Sequence, residues 1–199
     1  MPAPAPPPDE HADESDESLM QRYGTGDMTA FERLYARHEL GVWRYLLRSV
    51  RRQEVADDLT QDVWFAVVRQ ASNYVAASRF RTWLFTIAHN RLVDHFRTTK
   101  NHISLDAETA DSDVALIDTL AADSGFGPVR QLESREQAMA QIAAVAALPP
   151  EQRHAFLLQA EAGMSVDEIA LVTGASFETT KSRLRYARNA LRQLLKEFA

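Results

Sequence analysis

No cysteine occurs in the 199 residues, which excludes a disulfide scaffold, a thiolate metal site and a cysteine nucleophile. No apolar run approaches the ~18 residues that a membrane-spanning helix needs. Proline is missing from Leu19 to Gly127, and the few glycines of that stretch sit in two short clusters and one single position, a pattern that favours helices over tight-turned strands. Lysine and arginine are missing from two segments. Residues 1–18 carry Asp9, Glu10, Asp13, Glu14, Asp16 and Glu17 with five prolines, too little to bury, and are expected to be a disordered acidic tail. From Leu19 onward the remaining 22 acids balance 22 bases, so the net charge of −6 belongs to the tail. An acidic, Pro-rich start is the opposite of a basic, apolar signal peptide, and a cytoplasmic protein with no membrane insertion is expected.

What is present is helical periodicity. Val55, Leu59, Val63 and Ala66 recur at i, i+4, i+8 and i+11, and Phe80, Leu84, Ile87, Leu92 and Phe96 mark a further helix that ends near Lys100. Residues 19–100 therefore read as a first helical domain. Residues 101–133 read as a flexible acidic linker, with Asp106, Glu108, Asp111, Asp113, Asp118 and Asp123 ahead of Gly-Phe-Gly-Pro. The acidic stretch, 101–128, could span about 90 Å when extended at ~3.3 Å per residue. The helical pattern resumes at Gln131, and 134–199 form a second domain. There, Pro149 and Pro150 open a helix that Gly163 ends. Ser165-Val-Asp-Glu168 is a capping box, its helix stops at Gly174, and Ser176 caps a last helix with Thr180, Leu184, Ala187, Leu191 and Leu194/Leu195 inward. Short helix, glycine turn and longer helix spell a helix-turn-helix. The fold class is all-α, with two small domains.

The search for catalysis finds nothing. Gly24-Thr-Gly26 lacks the rest of a phosphate loop, and no nucleophile elbow or His-Glu-x-x-His occurs. His89, His95 and His102 are six and seven apart, whereas helical metal pairs need three or four, so no metal or cofactor is expected. Asp57, Asp58 and Asp62 lie on the outer side of their helix and suit a partner better than acid–base work. The last helix is different. Its outer side presents Glu178, Lys181, Ser182, Arg185, Arg188, Asn189 and Arg192, a largely basic face suited to the DNA major groove. A second basic region, Arg79 to Lys100, interleaves arginines with aromatics, as a single-strand surface would, although Phe80, Phe85 and Phe96 are expected in the core. Tyr74, in the polar break, is the better exposed aromatic.

Four segments then carry a resemblance: Asp57-Asp-Leu-Thr-Gln-Asp-Val63, Phe80-Arg-Thr-Trp-Leu-Phe-Thr-Ile-Ala-His-Asn90, Leu148-Pro-Pro-Glu-Gln-Arg153 and Thr180-Lys-Ser-Arg-Leu184. In this order they resemble the bacterial extracytoplasmic-function (ECF) sigma factors of the sigma-70 superfamily, over everything except tail and linker. The resemblance implies a region 2 domain at 19–100 and a region 4 domain at 134–199. It implies a factor that binds core RNA polymerase and directs promoter-specific transcription initiation in a regulated stress or envelope response. Asp58, Leu59, Gln61, Asp62, Trp64 and Phe65 then stand for polymerase binding. Asn73, Tyr74, Arg79, Arg81, Asn90, Arg91 and Arg97 stand for the minus-ten element, Tyr74 and Asn90 where a flipped base is held and read. Thr179, Lys181, Ser182, Arg185, Tyr186, Arg188 and Arg192 stand for the minus-35 element. Tyr186 replaces an Arg or His common in the family, and Thr86-Ile87 replaces the melting aromatics of primary sigma factors, which implies a narrower promoter set. An anti-sigma factor or other regulator is an expected partner, and the free chain is expected to be a monomer. The alternatives are a stand-alone helix-turn-helix regulator and, more distantly, a decoy that titrates an anti-sigma factor.

Overall fold

The computed structural model describes residues 14–100 and 128–196, and among them there are eight α-helices, one 3-10 turn and no strand. The first half holds α1 (Asp16–Gly24), α2 (Met28–Val50), α3 (Gln53–Gln70), the turn Ala71–Asn73 and α4 (Phe80–Lys100). The second holds α5 (Pro128–Ala146), α6 (Pro150–Ala162), α7 (Val166–Thr173) and α8 (Phe177–Leu194). No helix among the described residues is long and apolar enough to cross a membrane.

Two boundaries differ from the sequence reading. Helix α1 starts inside the expected tail, because its acids have partners: Glu14 pairs with Arg22, Asp16 pairs with Arg37 and His38, and Ser15 caps the helix by accepting the Ser18 N–H. Leu19 and Met20 then reach the core. Helix α5 begins at Pro128, three residues ahead of Gln131, since proline fits a first helical turn where no N–H is needed. The rest of the expected tail (1–13) and most of the expected linker (101–127) lie outside the described residues.

The stripe read from spacing is the buried one. Leu59 and Val63 of α3 belong to one buried cluster with Leu34, Tyr45 and Leu46 of α2 and with Phe80, Leu84 and Phe85 of α4, and Ala66 is buried as well. Each Leu, Val or Phe among them contributes roughly 1.5–3 kcal/mol by leaving water. In the second half the capping box is complete: Ser165 Oγ accepts the Glu168 N–H at 3.3 Å, and Glu168 Oε2 accepts the Ser165 N–H at 2.9 Å. Gly174 ends α7 at φ 63°, a left-handed conformation that glycine adopts without strain, and Ser176 caps α8. Thr180, Leu184, Ala187 and Leu191 are buried as expected. Leu194 is not; at 50% exposure it lies at the fraying end of α8.

The two halves share one seam, where α6 lies on α2 and α7 lies on α4. Arg48 of α2 and Glu161 of α6 form a nearly sealed ion pair, 11% and 10% exposed. The rings of His89 (α4) and His154 (α6) meet edge to face at 5.5 Å. His89 Nδ1 shares a 2.9 Å hydrogen bond with the Tyr45 hydroxyl of α2, while His154 stacks on Phe96 and its buried Nε2 has no hydrogen-bond partner.

The seam generates two expectations. Removing Glu161 strands a buried guanidinium, which costs about 3–5 kcal/mol while the seam stays shut. Parting the halves hydrates Arg48 and caps that cost, so Glu161→Ala should open the molecule. X-ray scattering should show a larger radius of gyration at unchanged helical circular dichroism, and an unchanged radius would remove the pair from any role in closure. The second expectation concerns protons. Burial first, then His89, Arg153 and Arg183, hold the His154 imidazole down at about 3. Burial and Arg183 lower His89, partly offset by Glu151. An imidazole titrates near 6.5 when unfolded. Stability is therefore complete above about pH 6.5 and falls as pH drops below it, by up to ~1.4 kcal/mol per pH unit from His154, with His89 acting in the same direction. Urea midpoints should be level from pH 8 to 7 and decline from 6.5 to 5. His154→Phe should make that decline shallower, and an equal slope in the variant would put the protons elsewhere.

Candidate functional site

Three surfaces carry the expected site residues. The first is a groove between α2 and α3. Phe31, Tyr35 and Trp64 build its aromatic wall, with Trp64 edge-on to Phe31 at 5.8 Å and 4.8 Å from Tyr35. Leu40, Phe65 and Val68 stand exposed along it. The Trp43 indole N–H donates to Asp57 at 2.7 Å, so that carboxylate holds the rim together. Asp58, Gln61, Asp62 and Phe65 face outward as expected, Phe65 at 52% exposure. Leu59 and Trp64 do not: at 7% and 5% exposure they fall on the inward period of α3, Trp64 with its ring in the groove wall. Leu40, Trp43 and Val68 also line the groove. Their apolar character at partly exposed helical positions was the available signal.

The second surface runs from the turn Ala71–Asn73 along α4. Arg79, Trp83, Thr86, Asn90 and Arg97 share one side at i, i+4, i+7, i+11 and i+18, with Arg79, Asn90 and Arg97 exposed. Asn73 is exposed as expected. Tyr74 is half-buried, edge-on to Trp83 at 5.1 Å and to Phe80 at 6.2 Å, with its hydroxyl sealed. Burial, helped by Glu17 and Asp16, pushes that phenol up to about 12. Arg81 departs from the expected set: it lies across the helix from Arg79 and points toward Gly163 and the seam, with its Nε buried. Arg91, a third of a turn off the stripe, is only partly exposed. Arg79 itself reaches Glu168 of α7 at 3.8 Å, and Thr82 donates to the same carboxylate at 3.3 Å. No local sequence signal ties that capping residue to α4.

The third surface is the outer face of α8. Thr179, Lys181, Arg185, Tyr186, Arg188 and Arg192 are exposed and Ser182 is half-exposed, while Leu184, Ala187 and Leu191 hold the helix to α6 and α7. The Arg185 guanidinium lies 5.0 Å over the Tyr186 ring and donates to its hydroxyl at 3.3 Å. Arg188 donates to Gln159 at 2.6 Å and Arg192 to Asn189 at 3.1 Å.

Comparison with known proteins fits these surfaces to one family. The Sigma-70 region 2 model matches residues 34–102 and the Sigma-70 region 4 model matches residues 140–191. The RNA polymerase sigma factor CarQ of Myxococcus xanthus is 32% identical over 180 residues, 89% of this chain and 96% of CarQ. The ECF RNA polymerase sigma factor SigM of Mycobacterium tuberculosis is 30% identical over 181 residues, 91% of this chain and 85% of SigM. Sigma factor RpoE from Bartonella quintana, solved with the anti-sigma factor NepR, shares the fold at a TM-score of 0.63 and 21% identity, over 83% of this chain and 96% of that one. With both sigma-70 regions present in order and relatives aligned over nearly their full length, the chain belongs to the extracytoplasmic-function sigma factors of bacterial RNA polymerase, promoter-directing transcription initiation factors and not enzymes.

Proposed function

We propose that this sigma factor works in the cytoplasm by docking core RNA polymerase on the α2–α3 groove, reading the minus-ten element with the Asn73–Arg79 loop and the α4 stripe, and reading the minus-35 element with α8. The observation that carries the reading is the sorting of α8, with four basic side chains outward and Thr180, Leu184, Ala187 and Leu191 buried. Asp58 and Asp62 sit one turn apart beside the exposed Phe65, so the groove suits a partner with an apolar ridge and basic flanks. The same groove suits a competing regulator of the anti-sigma class, the class of partner bound to the Bartonella relative.

The closed arrangement fits a free factor. Helix α7 touches α4, and α8 follows after a three-residue turn with a length of about 27 Å. The reading faces therefore lie far closer than the roughly 70 Å that separates two elements two helical turns apart in the promoter. Promoter engagement then requires the halves to part at the Arg48–Glu161 seam, and parting releases Arg79 from Glu168.

Two measurements test the surfaces. Reversing Asp58 and Asp62 to Lys adds like-charge repulsion at the groove and should weaken core-polymerase binding at least ~10-fold, about 1.4 kcal/mol, with helicity intact. Unchanged affinity in a titration against core enzyme would sink the assignment of this face. On α8, Arg185→Ala should remove a base contact of about 1–3 kcal/mol and relax preference at one or two minus-35 positions. Arg192→Ala should weaken all sequences alike and lower the salt slope by about one. The readout is transcription across a randomised minus-35 library. One common loss factor for Arg185→Ala on every promoter would mean that it does not read bases.

A further inference from the structure

The loop between Asn73 and Phe80 has almost nothing of its own to hold it. Residues 75–79 are all exposed, and its internal backbone bonding amounts to Ala77 N–H to the Val75 carbonyl at 2.7 Å, after Tyr74 N–H to the Ala71 carbonyl at 3.2 Å. Such a segment samples many conformers unless its ends are fixed, yet base readout needs a defined one. Both ends meet α1. At the entry, Gly24 lies against the turn Ala71–Asn73: a Cβ on Gly24 would come within 2.6 Å of the Ala71 carbonyl oxygen, so only glycine allows this approach. At the exit, Glu17 Oε1 accepts the Phe80 backbone N–H at 2.6 Å, one of the donors that the first turn of α4 leaves without a helical partner. A carboxylate there also suits the positive end of the helix. Helix α1 is itself anchored, since Asp16 binds Arg37 at 2.9 Å and His38 at 2.7 Å, and Leu19 and Met20 are fully buried.

We infer that α1 is a brace that fixes both ends of the Tyr74–Arg79 loop, and that Glu17 is a positioning residue for minus-ten readout, acting through the Phe80 amide without touching DNA. The inference rests on the reading of this loop as the minus-ten reader. Glu17 sets where α4 begins and where Arg79 leaves the loop. Its charge lies near the sealed Tyr74 hydroxyl and adds to the cost of ionising it.

Two mild substitutions separate the hydrogen bond from the charge. Glu17→Gln keeps an acceptor in place and loses the charge. Glu17→Asp keeps the charge and withdraws the acceptor by one methylene, about 1.5 Å. Each full-length variant, assembled with core polymerase, is assayed for transcription over a library randomised at the minus-ten element and another randomised at minus-35. Glu17→Asp should flatten minus-ten discrimination by about 5-fold, within the range that loss of one helix cap supports, and leave the minus-35 profile and core affinity unchanged. Glu17→Gln should stay within about 2-fold of the parent. Amide exchange at Phe80 should speed up in the Asp variant and not in the Gln variant. The brace is overturned if Glu17→Asp keeps the parental minus-ten profile, if it lowers all promoters by one factor, or if Gln and not Asp disturbs readout. Tyr74→Ala, run alongside, distinguishes the two failures. An altered minus-ten profile in that variant with a parental one in Glu17→Asp removes the brace alone, and an unaltered profile removes the loop's reading role and the brace with it.

Discussion

The buried Arg48–Glu161 pair is the contact on which the arrangement of this sigma factor turns. It joins α2, which carries much of the core of the first half, to α6, against which α8 is packed. Taking two charges out of water costs nearly what their attraction returns, so an ionic seam adds little net stability while it is whole and much instability when one partner is missing. The imidazoles of His89 and His154 give the same balance, since both are held neutral and one ring nitrogen has no partner. Apolar side chains of both halves share one buried cluster around these groups, so the seam is mixed, and its polar members are the ones that gain hydration if the halves part.

Glu168 ties local folding to this opening. One carboxylate completes the capping box that starts the helix-turn-helix and, across the seam, accepts from Thr82 and faces Arg79. The capping bond survives separation of the halves because it is local to α7. The contacts to α4 do not. If the halves part as proposed, the second domain would keep its shape and Arg79 would lose its carboxylate partner on the α4 stripe.

What was legible in the sequence was whatever repeats at short range. The stripe of α3, the box at Ser165–Glu168, the glycine turn and the outward face of α8 all follow from spacings under a dozen residues. Helix α1 was not legible, because Glu14, Asp16 and Glu17 were counted as charge in a Pro-rich tail while their partners Arg22, Arg37, His38 and the Phe80 amide lie up to 63 residues away. The seam hid for the same reason, with Arg48 and Glu161 separated by 113. At Leu59 two readings disagreed. Periodicity places it inside, where it is 7% exposed, and the family resemblance places it among the polymerase-binding residues.

The arginines of the second domain can be told apart by the charge of what they touch. Arg183 pairs with Glu151 at 2.6 Å, which neutralises it and spends it on holding α8 to α6. Arg185, Arg188 and Arg192 lean instead on Tyr186, Gln159 and Asn189, all neutral acceptors. A neutral partner restrains a flexible guanidinium, which lowers the rotamer entropy lost on binding, and leaves its full charge for phosphate. Lys181 lies between these cases, with Glu178 at 3.9 Å and the Phe177 ring at 6.0 Å, both on its own first turn. At Arg185, Arg188 and Arg192 the charge is thus uncancelled and its direction preset, the combination a helix needs if it is to enter a groove of phosphates without rearranging first.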